Sequence, residues 1–361
     1  MNGLLDRLTS PLDLDAYLAA VNPRWGTRLR GVVEAVTPQT SSAASIVIRP
    51  GRGWRGHRAG QFVTVGVDVN GVRHQRCYSL TSVPNRPDGR IEITVQAVDG
   101  GTVSRHLVER ARPGDIVQLD QADGDFTLAA PADRRTPGLL FVTGGSGITP
   151  VMGMLRTIAA GLDQADAVLI HHATSADNVI FATELSELAE TAPWLRTEIV
   201  VTRAADGSTR PGTHLDARRL DEVCPDWRDR QAYVCGPEPL LDFATGHWST
   251  AGLVDHLHLE RFTPIAFDAM PTQRSGSVRF ARSRIDASPD TSPDGSNTLL
   301  DLAESAGIAA PSGCRMGICH TCSTPLLAGC AQDLRDGRIV EAGTHVQLCV
   351  SAPVGDVTLD L

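Results

Sequence analysis

The chain has 361 residues, of which 42% are hydrophobic, and a formal net charge of −9 at pH 7. This length predicts two or three domains of roughly 100–200 residues each, and an acidic chain without a basic run is not expected to bind nucleic acid. We find no apolar stretch of about 18 residues and no secretory leader, so we expect no transmembrane segment and a cytoplasmic location. In such a reducing compartment, the eight cysteines favour metal ligation over disulfide bonds.

Residues 1–27 carry leucines at near-helical spacing, interrupted by Pro11 and Pro23. This pattern predicts one or two short amphipathic helices. The basic face typical of a helix on a membrane surface is missing. We therefore favour packing of this extension against the next domain over attachment to a membrane.

Residues 28–131 contain short runs of alternating β-branched residues, separated by turns such as Asn70-Gly71 and Pro113-Gly114. Several short strands with frequent turns predict an antiparallel barrel.

Two motifs of this region suit a phosphate-containing cofactor. Arg76 can hold a diphosphate, Tyr78 lies two positions on along the same strand face and can stack on a flavin, and Ser79 can hydrogen bond to the flavin edge. Residues 100–104, GGTVS, place a glycine turn at a helix N-terminus, where backbone amides favour phosphate. The alternative is an ordinary strand followed by a helix capped by Ser104. Two such motifs in one small barrel favour the cofactor.

Residues 132–266 alternate strand-like and helical segments, which predicts a parallel α/β sheet. The motif GGSGITP, residues 144–150, follows a strand and precedes a helix, so its glycines allow a pyrophosphate to approach the backbone. Pro150 stands where a third glycine is usual, and proline is tolerated in the first turn of a helix. Residues 235–237, CGP, end another strand at the edge of the sheet where nucleotides bind.

Residues 267–277 have the composition of a linker. Residues 278–361 form the last predicted unit: a strand over VRFARSRI, a helix over TLLDLAESAG, a cysteine-containing loop and two final strands.

Four cysteines of this last unit have the spacing C-x4-C-x2-C with a distant fourth member: Cys314, Cys319, Cys322 and Cys349. This is the plant-type [2Fe–2S] pattern. Small residues in the loop let its backbone close around a cluster. A structural zinc site usually has two C-x2-4-C pairs, and only one is present, so zinc or a set of disulfides is the weaker alternative.

These motifs, in this order, resemble the ferredoxin–NADP⁺ reductase superfamily, and in particular its oxidoreductases with a C-terminal plant-type ferredoxin domain. The local sequences GCRMGICHTC and HLERFTP are similar to those of actinobacterial reductases that serve membrane fatty-acid desaturases. Related modules serve oxygenases. The resemblance implies an antiparallel β-barrel for FAD, an α/β parallel-sheet domain for the nicotinamide nucleotide and a β-grasp [2Fe–2S] ferredoxin domain.

The resemblance also implies roles for individual residues. The catalytic set is Ser79 near the flavin N5, Cys235 beside the nicotinamide and Glu260 as a proton relay. The remaining cofactor contacts are Arg76, Tyr78 and Leu80 at the flavin, Gly101, Val103 and Ser104 at its pyrophosphate, Gly145, Gly147, Thr149, Pro150 and Gly236 at the nicotinamide nucleotide, and Phe262 at the flavin border. Two alternatives stay open here: Cys235 as a merely buried strand-end cysteine and Glu260 as an ordinary surface carboxylate.

Two cofactor choices follow from smaller features. Related phthalate-dioxygenase-type reductases use FMN, but the glycine turn followed by a helix resembles the FAD version, so we expect FAD. For the nucleotide, Arg203 follows a strand that ends without an acid, and Arg210 lies in the next loop, although Asp206 is close. An arginine at this place accommodates a 2′-phosphate, so we expect NADPH, with NADH as the alternative.

The predicted function is electron transfer from NADPH through FAD and a [2Fe–2S] cluster to a partner desaturase or monooxygenase, with the chain at the membrane only through that partner. The alternatives are the NADH-dependent reductase of a ring-hydroxylating dioxygenase and a redox sensor with degenerate cofactor sites. The sensor predicts damaged motifs, whereas every motif here is intact.

Overall fold

The computed structural model describes residues 29–69, 72–130, 138–163, 165–204, 206–210, 212–262, 276–288, 298–313, 315, 317, 320–335 and 337–361. They form two compact units. The first contains the described residues up to Phe262 except His74–Cys77, and the second contains His74–Cys77 together with the described residues from Gly276 onward. The predicted N-terminal helices, most of the predicted linker, Cys314 and Cys319 lie outside the described residues. The predicted domain boundaries stay predictions.

The first half of the first unit is an antiparallel sheet whose strands run in the order β4-β3-β6-β1-β2-β5. The strands are β1 (Arg30–Thr40), β2 (Ala43–Pro50), β3 (Phe62–Val69), β4 (Val72–Ser79), β5 (Ile91–Gln96) and β6 (Ile116–Leu119). A bridge between Leu80 and Ile93 joins the two ends of this order. The inward residues of the alternating runs, such as Val33, Ile46 and Ile48, form a fully buried core, and helix α1 (Thr102–Glu109) packs against it.

The second half of the first unit is a parallel sheet in the order β11-β10-β7-β8-β9. Its strands are β7 (Gly138–Gly144), β8 (Asp166–Ala173), β9 (Leu195–Val201), β10 (Arg230–Cys235) and β11 (Leu257–Glu260). The helices are α2 (Ile148–Ala159), α3 (Ala182–Thr191), α4 (Ala217–Val223) and α5 (Glu238–Thr250). Strands β7 and β10 are buried along their whole length, as expected for central strands covered on both faces. The short elements α4 and β11 carry too little periodicity to be predicted.

The second unit contains β12 (Val278–Phe280), β13 (Ile285–Ala287), α6 (Leu299–Ser305), β14 (Ser323–Asp333), β15 (Ile339–Glu341), β16 (His345–Gln347) and β17 (Ser351–Leu359). The single strand predicted over VRFARSRI is wrong, because β12 and β13 form an antiparallel hairpin. Its turn includes Arg284 at φ 56°, a left-handed conformation that a strand cannot contain. The prediction of two final strands also missed β15 and β16, whose three residues are too few to show alternation.

Candidate functional site

Three adjacent strands of the parallel sheet end at one edge. In the register of the sheet, Cys235 at the end of β10 lies opposite Thr143 on β7 and Glu260 on β11. All three residues are buried. The crevice beyond the carboxyl ends of parallel strands is where ligands bind in open α/β sheets. The structure therefore brings the predicted catalytic residues Cys235 and Glu260 together in one row.

Glu260 is buried and acidic, and no described group pairs with its Oε2 atom. Desolvation raises the pKa of Glu260 to about 8, because burial disfavours the charged carboxylate. The alternative of an ordinary surface carboxylate is therefore wrong. Burial, and secondarily the neighbouring Glu260, also raises the pKa of the Cys235 thiol well above its ordinary value. At neutral pH both groups keep their protons, and Glu260 can donate one.

A histidine that the sequence did not single out completes this row. His171, in β8, is fully buried, and its Nδ1 lies 2.8 Å from Thr143 Oγ1. Burial lowers the pKa of His171 to about 3, so the ring is neutral and fixes the Thr143 hydroxyl. The two consecutive histidines in LIHHA could have pointed to this position. The sequence does not indicate, however, that the buried His171 imidazole contacts Thr143.

The predicted nucleotide loop lies directly against the CGP motif. Residues Gly145–Gly147 form a 3₁₀ turn that leads into α2. A Cβ atom on Gly147 would overlap the carbonyl oxygen of Cys235, and one on Gly144 would lie 2.7 Å from Pro237 Cδ. Gly145 has φ 54°, and the atom nearest to its Cβ direction is Gln96 Oε1 at 4.0 Å. Gly144 and Gly147 thus make room for the CGP segment, whereas Gly145 leaves open space where a pyrophosphate could approach.

The first turn of α2 is shaped by the two residues predicted after the glycines. Thr149 Oγ1 donates to the carbonyl of Ser146 at 2.9 Å, which closes the turn. Pro150 is buried at the third position of the helix, where its missing N–H removes no intrahelical hydrogen bond. Gly236 follows β10 and approaches the backbone of Gly144.

The predicted flavin motif begins in the second half of β4. Arg76 and Tyr78 share one strand face, and Tyr78 packs at the margin of the barrel core. Ser79 is 3% exposed, and no described group pairs with its hydroxyl. A buried hydroxyl without a partner is costly unless a ligand satisfies it, so Ser79 fits a flavin edge. Leu80 is a core residue whose amide donates to the Gln61 carbonyl at 2.8 Å, so neither its side chain nor its amide is open to a cofactor.

Helix α1 begins at Thr102 with Gly101 as its N-cap, without a side-chain hydrogen bond to the cap. The alternative of Ser104 as the cap is wrong, because Ser104 Oγ accepts from the Val98 amide at 3.3 Å. Val103 is buried in the barrel core. Any contact from Val103 to a phosphate is therefore restricted to its backbone.

Around the predicted 2′-phosphate position, the structure places Arg203 at a bridge with Thr209. Arg210 donates its amide to the Thr202 carbonyl at 2.8 Å. Asp206 Oδ1 accepts from the amide and the hydroxyl of Ser208 at 2.9 and 2.6 Å, and the hydrogen bonds from Ser208 lower the pKa of Asp206. Asp206 is thus engaged within its own turn, while Arg203 is exposed. Phe262, the other exposed member of the predicted set, directly follows Arg261 after β11.

In the second unit, Cys322 and Cys349 come together. Their Sγ atoms lie 3.3 Å apart, and both residues are buried. Two thiolates on one tetrahedral metal, with metal–sulfur bonds of about 2.3 Å, lie roughly 3.8 Å apart. The observed pair is about half an ångström closer than that, near enough for both thiols to ligate a single metal ion after a small shift. Among the described residues, no three His, Cys, Asp or Glu side chains form a metal-binding group. The thiols of the remaining two predicted ligands, Cys314 and Cys319, are outside that set.

Comparison with known families assigns all three regions. Residues 54–128 match the oxidoreductase FAD-binding domain, residues 141–246 the oxidoreductase NAD-binding domain, and residues 287–354 the 2Fe-2S iron-sulfur cluster binding domain. The chain is 42% identical over 359 residues to an NADPH oxidoreductase of Mycobacterium tuberculosis, an alignment that covers 98% of this chain and 90% of the relative. The chain belongs to the ferredoxin-reductase-type NAD(P)H oxidoreductases with FAD and a C-terminal [2Fe–2S] domain.

Two further relatives support this assignment. A glycine betaine monooxygenase reductase subunit of Pseudomonas aeruginosa is 29% identical over 84% of this chain and 87% of its own. The solved structure of phthalate dioxygenase reductase, described as a modular structure for electron transfer from pyridine nucleotides to [2Fe–2S], is 25% identical. It covers 93% of this chain and 98% of its own, with a TM-score of 0.59.

These findings confirm the predicted fold class, the enzyme class and the cofactors FAD and [2Fe–2S]. The match to the 2Fe-2S domain favours an iron–sulfur cluster over zinc or disulfide bonds at the four cysteines. The chain is an NAD(P)H-dependent oxidoreductase that passes electrons through FAD and an iron–sulfur cluster. In the part of the chain that the structure describes, no helix has the length and apolar character needed to cross a bilayer.

Proposed function

We propose that this reductase takes electrons from NADPH and delivers them singly to a separate iron-containing oxygenase or fatty-acid desaturase. The observation that carries this proposal is the pair of buried thiols of Cys322 and Cys349, in a unit with its own core, on a chain that also has a nicotinamide-nucleotide loop. A [2Fe–2S] cluster carries one electron. A chain that joins it to a flavoprotein therefore suits acceptors that need single electrons.

Residues of the antiparallel and parallel sheets would serve the two-electron step. Bound FAD would supply the chemistry that takes a hydride from reduced nicotinamide and gives up electrons singly. Ser79, whose buried hydroxyl has no partner among the described groups, would hydrogen bond to the flavin edge, and Arg76 and Tyr78 would hold the diphosphate and the ring. Glu260 keeps a proton at its carboxyl group near neutral pH, and Cys235 lines the adjacent place for the nicotinamide.

The choice of NADPH rests on charge at the adenosine end. A carboxylate would select the free 2′-hydroxyl of NADH, whereas an arginine accommodates the 2′-phosphate of NADPH. Asp206 is engaged by Ser208, and the exposed Arg203 has no ion pair among the described residues. The relative from Mycobacterium tuberculosis named NADPH oxidoreductase supports the same choice.

The desaturase is proposed from the local sequences GCRMGICHTC and HLERFTP, and association with a membrane would occur only through that partner. A second candidate is the reductase of a ring-hydroxylating dioxygenase, which is favoured by the full-length similarity to phthalate dioxygenase reductase. Both candidates share the chemistry of single-electron delivery to an iron enzyme. They differ in the acceptor and in the nucleotide, which is NADPH for the first candidate and NADH for the second.

An anaerobic titration with NADPH, and separately with NADH, tests the proposal. Bleaching of the flavin and iron–sulfur absorbance should need about one and a half equivalents of NADPH, since the flavin takes two electrons and the cluster one. Arg203→Ala should raise the KM for NADPH several-fold and leave that for NADH unchanged. Equal efficiency with both nucleotides in the wild-type protein would contradict the NADPH assignment. Reduction of a purified desaturase, but not of a dioxygenase, would decide the acceptor.

A further inference from the structure

The carbonyl oxygen of Gly317, inside the cysteine loop, accepts two side-chain hydrogen bonds. Arg335 Nη1 donates to it at 2.8 Å, and Gln347 Nε2 donates at 3.0 Å. Gly317 has φ 73°, and a Cβ atom there would lie 2.6 Å from Arg335 Nη1 and 2.9 Å from Val350 Cγ2. The loop backbone is therefore pressed against the guanidinium at a position that only glycine occupies without strain.

Arg335 is itself held on its other side. Its Nε and Nη2 donate to the two carboxylate oxygens of Asp333 at 3.0 and 2.6 Å, and Nη2 also donates to Gln347 Oε1 at 2.7 Å. The Asp333 side chain is 4% exposed. Burial alone would raise its pKa, but the hydrogen bonds and charge of Arg335 hold the pKa below the ordinary range. A bidentate, charge-assisted pair of this kind fixes geometry as well as adding energy.

The two anchors come from different strands. Asp333 ends β14, the strand that follows Cys322, and Gln347 ends β16, two positions before Cys349. Gln347 Nε2 also lies 2.9 Å from His320 Nδ1 in the loop. The network thus connects the loop between the first cysteines to both segments that supply the buried thiols.

We propose that Arg335 is a positioning residue for the [2Fe–2S] cluster, which fixes the cysteine loop by anchoring the Gly317 carbonyl to Asp333 and Gln347. Because Asp333 compensates the positive charge, Arg335 acts on the shape of the loop and on retention of the cluster more than on the reduction potential. Asp333→Asn, which leaves that charge uncompensated, should instead raise the potential.

The test compares Arg335→Gln with Arg335→Lys and with the control Arg338→Gln in the full-length holoprotein. Arg338 approaches the same carboxylate at 3.7 Å but is 67% exposed. The measurement is the rate at which the visible circular dichroism of the cluster disappears under excess EDTA without oxygen, with flavin absorbance as an internal reference. The electron paramagnetic resonance spectrum of the reduced cluster reports its geometry.

Loss of the cluster should be about tenfold faster or more in Arg335→Gln, in line with removal of a charge-assisted hydrogen bond. The lysine variant, which can restore one donor, should fall between Arg335→Gln and wild type, and Arg338→Gln should match wild type. Flavin retention should not change, although a general loss of stability would release both groups. An unchanged resonance spectrum and a loss rate within twofold of the Arg338→Gln rate would overturn the proposal.

Gln347→Leu keeps the test decisive if Arg335→Gln does not fold. It removes the second donor to Gly317 and leaves the pair of Arg335 and Asp333 intact. A loss rate several-fold above wild type supports the anchoring role, and a wild-type rate contradicts it.

Discussion

Arg156 Nη1 lies 2.6 Å from Glu92 Oε1 and 2.9 Å from the carbonyl oxygen of Thr81. Arg156 is on α2, the helix that follows the nucleotide loop, whereas Glu92 and Thr81 belong to the barrel, and Thr81 lies two residues after Ser79 in the flavin motif. The remaining nitrogens of the guanidinium donate to both oxygens of Glu184 at 2.7 Å. One half-buried cation therefore joins the flavin strand to the nucleotide helix.

Replacing Arg156 with Gln should lower the free energy of unfolding of the first unit by about 2–3 kcal/mol, because Glu92 and Glu184 would remain partly buried without their cation. Hydride transfer should slow, since the two binding regions would lose a fixed relation. Urea unfolding and stopped-flow flavin reduction measure the two effects. The control is Arg105→Gln, which breaks an exposed pair with Glu109. Equal behaviour of the two variants would contradict this role.

Glu260 should make stability depend on pH. Its pKa is raised from 4.5 to about 8, so the folded state keeps a proton that the unfolded state releases. Stability should therefore fall as the pH rises from about 4.5 to about 8 and then level off. Glu260→Gln should remove this slope, worth on the order of a few kcal/mol across the range.

Thermal unfolding at several pH values measures the effect of Glu260. The exposed Glu109→Gln is the matched control. An identical pH profile in wild type and Glu260→Gln would contradict the raised pKa, since it would mean that Glu260 has the same pKa in the folded and unfolded states.

Gly147→Ala should displace the nucleotide loop, because the added methyl group would overlap the Cys235 carbonyl oxygen. We expect the KM for NADPH to rise at least about tenfold, as expected when a loop that positions a ligand moves. Gly246→Ala in α5 is the control, since its Cβ meets no atom within 4 Å and alanine favours a helix. Steady-state kinetics would decide, and an unchanged KM for Gly147→Ala would contradict the close approach.

Cys322→Ser should abolish the iron–sulfur absorbance and leave flavin reduction intact. The anaerobic titration should then end near one equivalent of NADPH in place of about one and a half. Cys330→Ser is the matched control, because Cys330 lies in β14 outside the ligand spacing and is only half-buried. A normal cluster spectrum in Cys322→Ser would remove this residue from the ligand set.

The sequence predicted best those features that depend on residues close together in the chain. The glycines of 144–147, the buried run of β7 and the spacing of the cysteines are constrained by neighbours a few positions away, so their patterns predict the structure directly. Arg156 and Glu92 are 64 positions apart. Nothing in the helix sequence MGMLRTIA indicates that Arg156 pairs with a residue of the antiparallel sheet. Arg335 could not be predicted either, because its role depends on how three separate segments fold together.

The buried core of the second unit draws all of its residues from positions 278–361, including Cys322 and Cys349. A segment whose core is formed by its own residues can be replaced as one piece. Gene fusion could replace it with a homologous iron–sulfur segment of different potential or partner preference, and the nucleotide chemistry of the first unit would stay the same. Engineering such chimaeras would redirect the electrons of one nicotinamide-oxidising enzyme to new acceptors.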